Sequence, residues 1–193
     1  MNSTEKLRKK GRKPKETPES LKREYLEIID ENCNPIGILS RAEIHQKDFF
    51  HKSVHIFIFN KQGEIYLQKK SKIMDENPGL WSSSASGHVA VGETFLIAAQ
   101  RELKEELSIK VKLEEVLRIK PTEEGLKKCI VLFKGITGKI PKPNPIEIEE
   151  GRFFSIEEVN KLIQQKPEIF TPTFKILWKK YWYLVNQGYR KEK

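Results

Sequence analysis

The sequence predicts an α+β fold, a mixed sheet with helices packed outside it, and three observations carry that prediction. β-Branched and aromatic runs, such as "SVHIFIFN" (53–60), "EIYLQ" (64–68) and "KCIVLFKGI" (128–136), read as strands bounded by turn residues. Between them, residues 94–107 repeat apolar positions at helical spacing, and 171–188 do so again. Composition fits a globular domain with a polar surface: 37% of the 193 residues are hydrophobic and 33% charged.

The elements follow in order. Residues 1–22 lack hydrophobic periodicity and are rich in Lys and Arg, so they read as a flexible basic arm. A single domain is expected over 23–188, with a basic tail at 189–193. "YLEIID" and "NCNPIGIL" read as strand, turn and strand, and Asn60 to Gly63 marks a hairpin before "EIYLQ". Pro78-Gly79 is a turn ahead of "LWSSSA". A helix is expected from Thr94 to Leu107, with Leu96, Leu103 and Leu107 on one face beside Ala99. Strands follow in "KLEEVLRI", "KCIVLFKGI" and "IEIEEGRFF". Ser155 to Glu158 reads as a capping box opening a helix to about Gln164. Thr171 and Pro172 open a last helix as N-cap and first residue, and Gly188 is expected to close it.

The net charge of +9 sits at the ends: residues 1–23 carry nine Lys/Arg and three Glu, and 175–193 carry six against one. The middle is slightly acidic, which argues against a globally basic nucleic-acid-binding domain and leaves the arm as the place for weak nucleic-acid contact. No apolar run approaches the roughly 20 residues of a membrane span, and the first residues have no apolar signal core. Cys33 and Cys129 have no metal-ligand spacing and are expected to be free thiols, which together with these features points to the cytoplasm.

The chemistry concentrates in "GHVAVGETFLIAAQRELKEELSI" (87–109). Glu102, Glu105 and Glu106 fan across one arc of a helix, close enough to repel by roughly 0.2–0.5 kcal/mol per pair. A divalent cation reverses that sign, and carboxylate oxygens suit Mg²⁺ or Mn²⁺. A solvated helix face, with Arg101 and Lys104 offsetting the charge, is the structural alternative. The wider spacing, Gly87, Glu93, Arg101-Glu102 and Glu105-Glu106, with aliphatic Leu103 and Ile109, resembles the Nudix box. Ser108 stands where that box has a glycine, a departure at a left-handed helix end that costs roughly 1 kcal/mol.

The resemblance implies a Nudix-type α/β/α sandwich that hydrolyses a diphosphate linkage in a small-molecule nucleoside diphosphate-X substrate. By position it makes Glu102, Glu105 and Glu106 metal ligands, with the Gly87 carbonyl as a further one. Arg101 would orient the carboxylates, and Glu93 would support them or bind metal. Lys69 and Lys70 are phosphate-binding candidates, and a late acid, Glu149 with Glu147 as the other choice, is the candidate general base.

"DENCNPIG", "PGLW" and "IEEGRFF" extend the resemblance to the Nudix subgroup related to isopentenyl diphosphate isomerase, the alternative function. Ser86 stands where the isomerase has its catalytic cysteine, and Leu126 and Lys128 stand where it has paired acids. An unactivated hydroxyl does not replace a thiol in allylic proton transfer, so hydrolysis is the expected reaction. His45, His51 and His88 resemble the isomerase's histidine ligands, but are expected here as relics or polar core residues; His55 reads as structural. A nucleotide- or RNA-binding Nudix module is a third possibility.

Overall fold

A computed structural model describes residues 24–191. The basic arm lies outside the described residues, as does the end of the basic tail. Strand β3 (His51–Phe59) organises the sheet. It runs parallel to β8 (Lys128–Ile136) along its whole length and antiparallel to β6 (Ala85–His88) over its first half. β4 (Ile65–Lys70) pairs with it at the far end. The hairpin of β1 (Tyr25–Ile29) and β2 (Pro35–Ser40) joins at its start, β5 (Trp81–Ser82) and β9 (Ile148–Phe154) pair with β4, and β7 (Glu114–Ile119) covers β8.

Period-two alternation along β3 divides the core. Val54, Ile56 and Ile58 face helix α2 (Phe95–Leu107), packing with Ala98, Ala99, Leu103 and Leu107. Phe57 and Phe59 face the other way, onto Val159 of α3 (Ile156–Gln165) and Phe174, Leu177 and Trp178 of α4 (Pro172–Lys191). The result is the expected helix–sheet–helix arrangement. On the second face the chemistry changes along the strand: Phe59 and Phe57 give way to buried His55, Ser53 and His51. There the aromatic core stops and a polar site begins.

Several local expectations are corrected. Leu96 is exposed, and Ala98 takes its place in the core. α4 continues through Gly188 to Lys191, so the glycine does not end it. At α3 only half of the capping box forms: Ser155 Oγ accepts from the Glu158 N–H at 3.1 Å, while the Glu158 carboxylate turns to Arg152. A complete capping box occurs instead at Ser40 and Glu43, opening a short helix, α1 (Arg41–Lys47), that the sequence reading missed. Cys33 and Cys129 are not free thiols; they form a disulfide across 96 residues, tying the β1–β2 turn to β8. Ser108 adopts the left-handed conformation (φ 56°) and caps α2 through its N–H to the Lys104 carbonyl, as expected. No helix among the described residues is long and apolar enough to cross a membrane.

Candidate active site

α2 delivers its acids to the sheet because its apolar face and acidic arc overlap: Glu102 and Glu106 are buried beside Leu103 and Leu107. Their relative exposures are only 8% and 4%. Gly87 in β6 makes room, since a Cβ there would fall on the Glu102 carboxylate. Glu106 accepts from the Gln68 side-chain amide at 2.9 Å and the Ser86 N–H at 3.2 Å. Arg101 ties the group together. It donates to Glu102 at 2.7 Å, to Glu105 at 3.1 Å and to the His88 carbonyl at 2.9 Å, while two bonds to Glu93 fix its own guanidinium. Glu93 therefore positions Arg101 and also accepts from the Ala90 N–H. The Arg101 bonds hold the Glu93 carboxyl below its usual range.

The buried acids are short of positive charge. Burial pushes Glu102 up to about 8 despite Arg101, with Glu147 and Glu105 adding to the rise. Burial, Glu147 and Glu102 push Glu106 well above the carboxylate range against the pull of Lys70. A divalent cation relieves both causes at once, so the donor set fits one.

The two candidate late acids, Glu147 and Glu149, sit differently with respect to the cavity. Glu147 lines the cavity and acts electrostatically on both buried glutamates. Glu149 is bound to Lys69 at 3.0 Å, outside the cavity lining. The β4–β9 register slips between Lys69 and Lys70, pairing Lys69 with Glu150 and Lys70 with Ile148, so Glu149 is the extra residue of a bulge and strand parity fails there. Lys69 is thus occupied elsewhere, and Lys70 faces the cavity.

Beside this group lies a second one. His45, His51 and His88 bring ring nitrogens within 4.8 Å of one another. Strand register builds it: His51 pairs with Lys128 across β3–β8, and Ser53 pairs with His88 across β3–β6. His45 Nδ1 lies 3.0 Å from Glu76, whose carboxylate also receives Lys128 Nζ at 3.2 and 3.3 Å. His51 Nδ1 is bonded to the Phe49 carbonyl at 3.1 Å. Burial and the Lys128 charge push His51 down to about 4, and burial with Lys128, His51 and Arg41 pushes His88 well below its usual value. Burial alone would raise Glu76, but the His45 bond and the Lys128 charge hold it well below the carboxylate range. His55, expected to be structural, bonds Ser83 Oγ at 2.9 Å and also lines the cavity. The sequence reading singled out the histidines and Lys128 but missed Arg41, which bonds Asp75 at 2.8 Å, and Glu76. Both partners come from the loop after β4, where no periodicity marks them.

Glu102 and Glu106 of the first group and His88, Glu76 and Lys128 of the second line one cavity of about 370 Å³, in which only Met74 and Gly87 of nineteen lining residues lack a polar side chain. Comparison with known proteins places this geometry in context. The NUDIX domain family model matches residues 49–174. An isopentenyl-diphosphate Delta-isomerase 2 from Photorhabdus laumondii is 32% identical over 157 residues, covering 79% of this chain and 89% of that protein. An uncharacterised Nudix hydrolase of Pseudomonas aeruginosa is 31% identical over 144 residues, covering 72% of this chain and 85% of that protein. The crystal structure of the Deinococcus radiodurans protein DR0079 superposes with a TM-score of 0.72 at 22% identity, covering 81% of this chain and 98% of that one, which establishes the shared fold.

Proposed function

This chain belongs to the Nudix family, and from that premise we propose that it is a divalent-metal-dependent hydrolase of a diphosphate linkage in a nucleoside diphosphate-X substrate. The observation that carries the reading is the buried, charge-deficient pair Glu102 and Glu106 held against Gly87. Glu102, Glu105 and Glu106 would hold the cation, with the Gly87 carbonyl adjacent. Mg²⁺ or Mn²⁺, when bound, neutralises diphosphate oxygens and activates water. Arg101 keeps the carboxylates converged; Glu147 and Lys70, both in the cavity lining, would accept a proton and meet a phosphate oxygen. The polar cavity lining favours a hydrated, hydrogen-bonding X over a hydrocarbon.

A second reading, allylic isomerisation, is favoured by the relatives named as isomerases and by the three histidines. Against it, Ser86 offers no thiol, and Lys128 brings positive charge beside the histidines. One experiment separates the two: nucleotide sugars, dinucleotides, nucleoside triphosphates and isopentenyl diphosphate are incubated with Mg²⁺ or Mn²⁺ in heavy water and followed by ³¹P and ¹H NMR. The expected result is cleavage of a nucleoside diphosphate derivative without deuterium entering isopentenyl diphosphate. Enzyme-dependent deuterium incorporation would overturn the hydrolase reading.

A further inference from the structure

The histidine group has the donor geometry of a metal site and the charge content of a filled one. Its three rings lie with centroids 5.0 to 5.4 Å apart. The Nδ1 atoms of His45 and His51 are engaged with Glu76 and the Phe49 carbonyl, while their Nε2 atoms are buried without a partner. Anchored Nδ1 atoms with free Nε2 atoms are what a transition-metal ion uses. Two carboxylates adjoin them: Glu24 lies 3.6 Å from His88 Nδ1, and Glu76, bonded to His45, is already committed, holding the Lys128 ammonium through both oxygens. To complete a site with Glu76, an incoming cation would have to break that pair and leave a half-buried ammonium facing a doubly charged ion.

We propose that the Lys128 ammonium, held on Glu76, is the internal cation of the histidine cluster, and that Lys128 is the residue that keeps transition metals out of it. The strand register fixes this arrangement. Lys128 is the β8 partner of His51, so its side chain emerges on the same face of the sheet. The neighbouring residue, Cys129, is buried and bonded to Cys33, which pins the start of β8. The positive charge that a metal ion would bring is therefore built into the chain, and cation binding is confined to the carboxylate group.

The test reads metal stoichiometry in the full chain, not turnover, so it stands whether or not the hydrolase reading does. Zinc is titrated calorimetrically into wild type, His51→Ala, Lys128→Met and the Lys128→Met/His51→Ala double variant, with Co²⁺ absorption spectra reporting imidazole ligation. Wild type and His51→Ala should bind the same number of zinc equivalents. Lys128→Met should gain one equivalent, bound at least about tenfold more tightly than any histidine-dependent binding in wild type, and the double variant should lose it. A His51-dependent zinc in wild type overturns the proposal, as does a folded Lys128→Met protein that gains none. Lys128→Gln serves as the second uncharged variant if methionine impairs folding, and the wild-type comparison decides by itself if both do.

Discussion

Gly87 and His88 are neighbours in one strand, yet the two groups they border have opposite charge balance. On the Gly87 side, Glu102, Glu105, Glu106 and Glu147 gather around Arg101 and Lys70, and burial leaves the acids short of counter-charge. On the His88 side, three imidazoles meet a Glu76–Lys128 ion pair, with Glu24 beside His88. Ligand atoms converge in both places. The difference shows that the charge already supplied by neighbouring side chains, not the convergence of ligand atoms, separates a site that needs a cation from one that has its own.

The largest effect should come from the carboxylate side. Glu106→Gln keeps the side-chain shape and removes a charge and a hard ligand, so turnover on an active substrate should fall at least about 100-fold with the thermal midpoint preserved. Gly87→Ala leaves every acid in place but drives a methyl into Glu102; displacing that carboxylate should cost about tenfold or more in turnover, checked against unchanged far-ultraviolet dichroism. Wild-type turnover in either variant would dissolve the distinction between the two sides.

On the histidine side the expected effects are on stability. Cys129→Ser, or reduction of the wild type, should lower unfolding free energy by about 2–4 kcal/mol in urea titrations, because the 96-residue link no longer restrains the unfolded chain. Near neutral pH a smaller effect comes from His55, and it grows as pH falls. Burial, with the Lys128 and Lys70 charges, pushes its pKa down to about 3 from 6.5, so the unfolded chain takes up the proton first as pH falls. The stability tied to this group is whole above about pH 6.5 and is lost as pH falls toward 3. His55→Asn should make the slope of unfolding free energy against pH shallower by up to one proton in that window; an unchanged slope would mean that another group titrates there.

How much of this was legible in the sequence depended on whether a local pattern carried it. The Glu102, Glu105 and Glu106 arc is set by one helix and was readable, whereas the box spacing marked Gly87 without showing the close approach to Glu102 that requires glycine there. The different placements of Glu147 and Glu149 were not readable, because residues two apart share strand parity and the bulge that separates them is a matter of sheet register. α1 was missed because seven residues give too little periodicity, although its Ser40–Glu43 capping box is written in the chain. The Cys33–Cys129 pair and the reach of Glu76 to His45 and Lys128 are tertiary facts between distant segments, and no spacing announces them. The disulfide also removes the free thiols that were one ground for expecting a cytoplasmic protein.

The most direct test of the central claim is where the cation goes. Mn²⁺ binding, measured by electron paramagnetic resonance on wild type, Glu106→Gln and His51→Ala, reads the two groups against each other. The account predicts that Glu106→Gln weakens Mn²⁺ binding at least about tenfold and that His51→Ala leaves it unchanged. Mn²⁺ binding that survives Glu106→Gln and disappears in His51→Ala would contradict it.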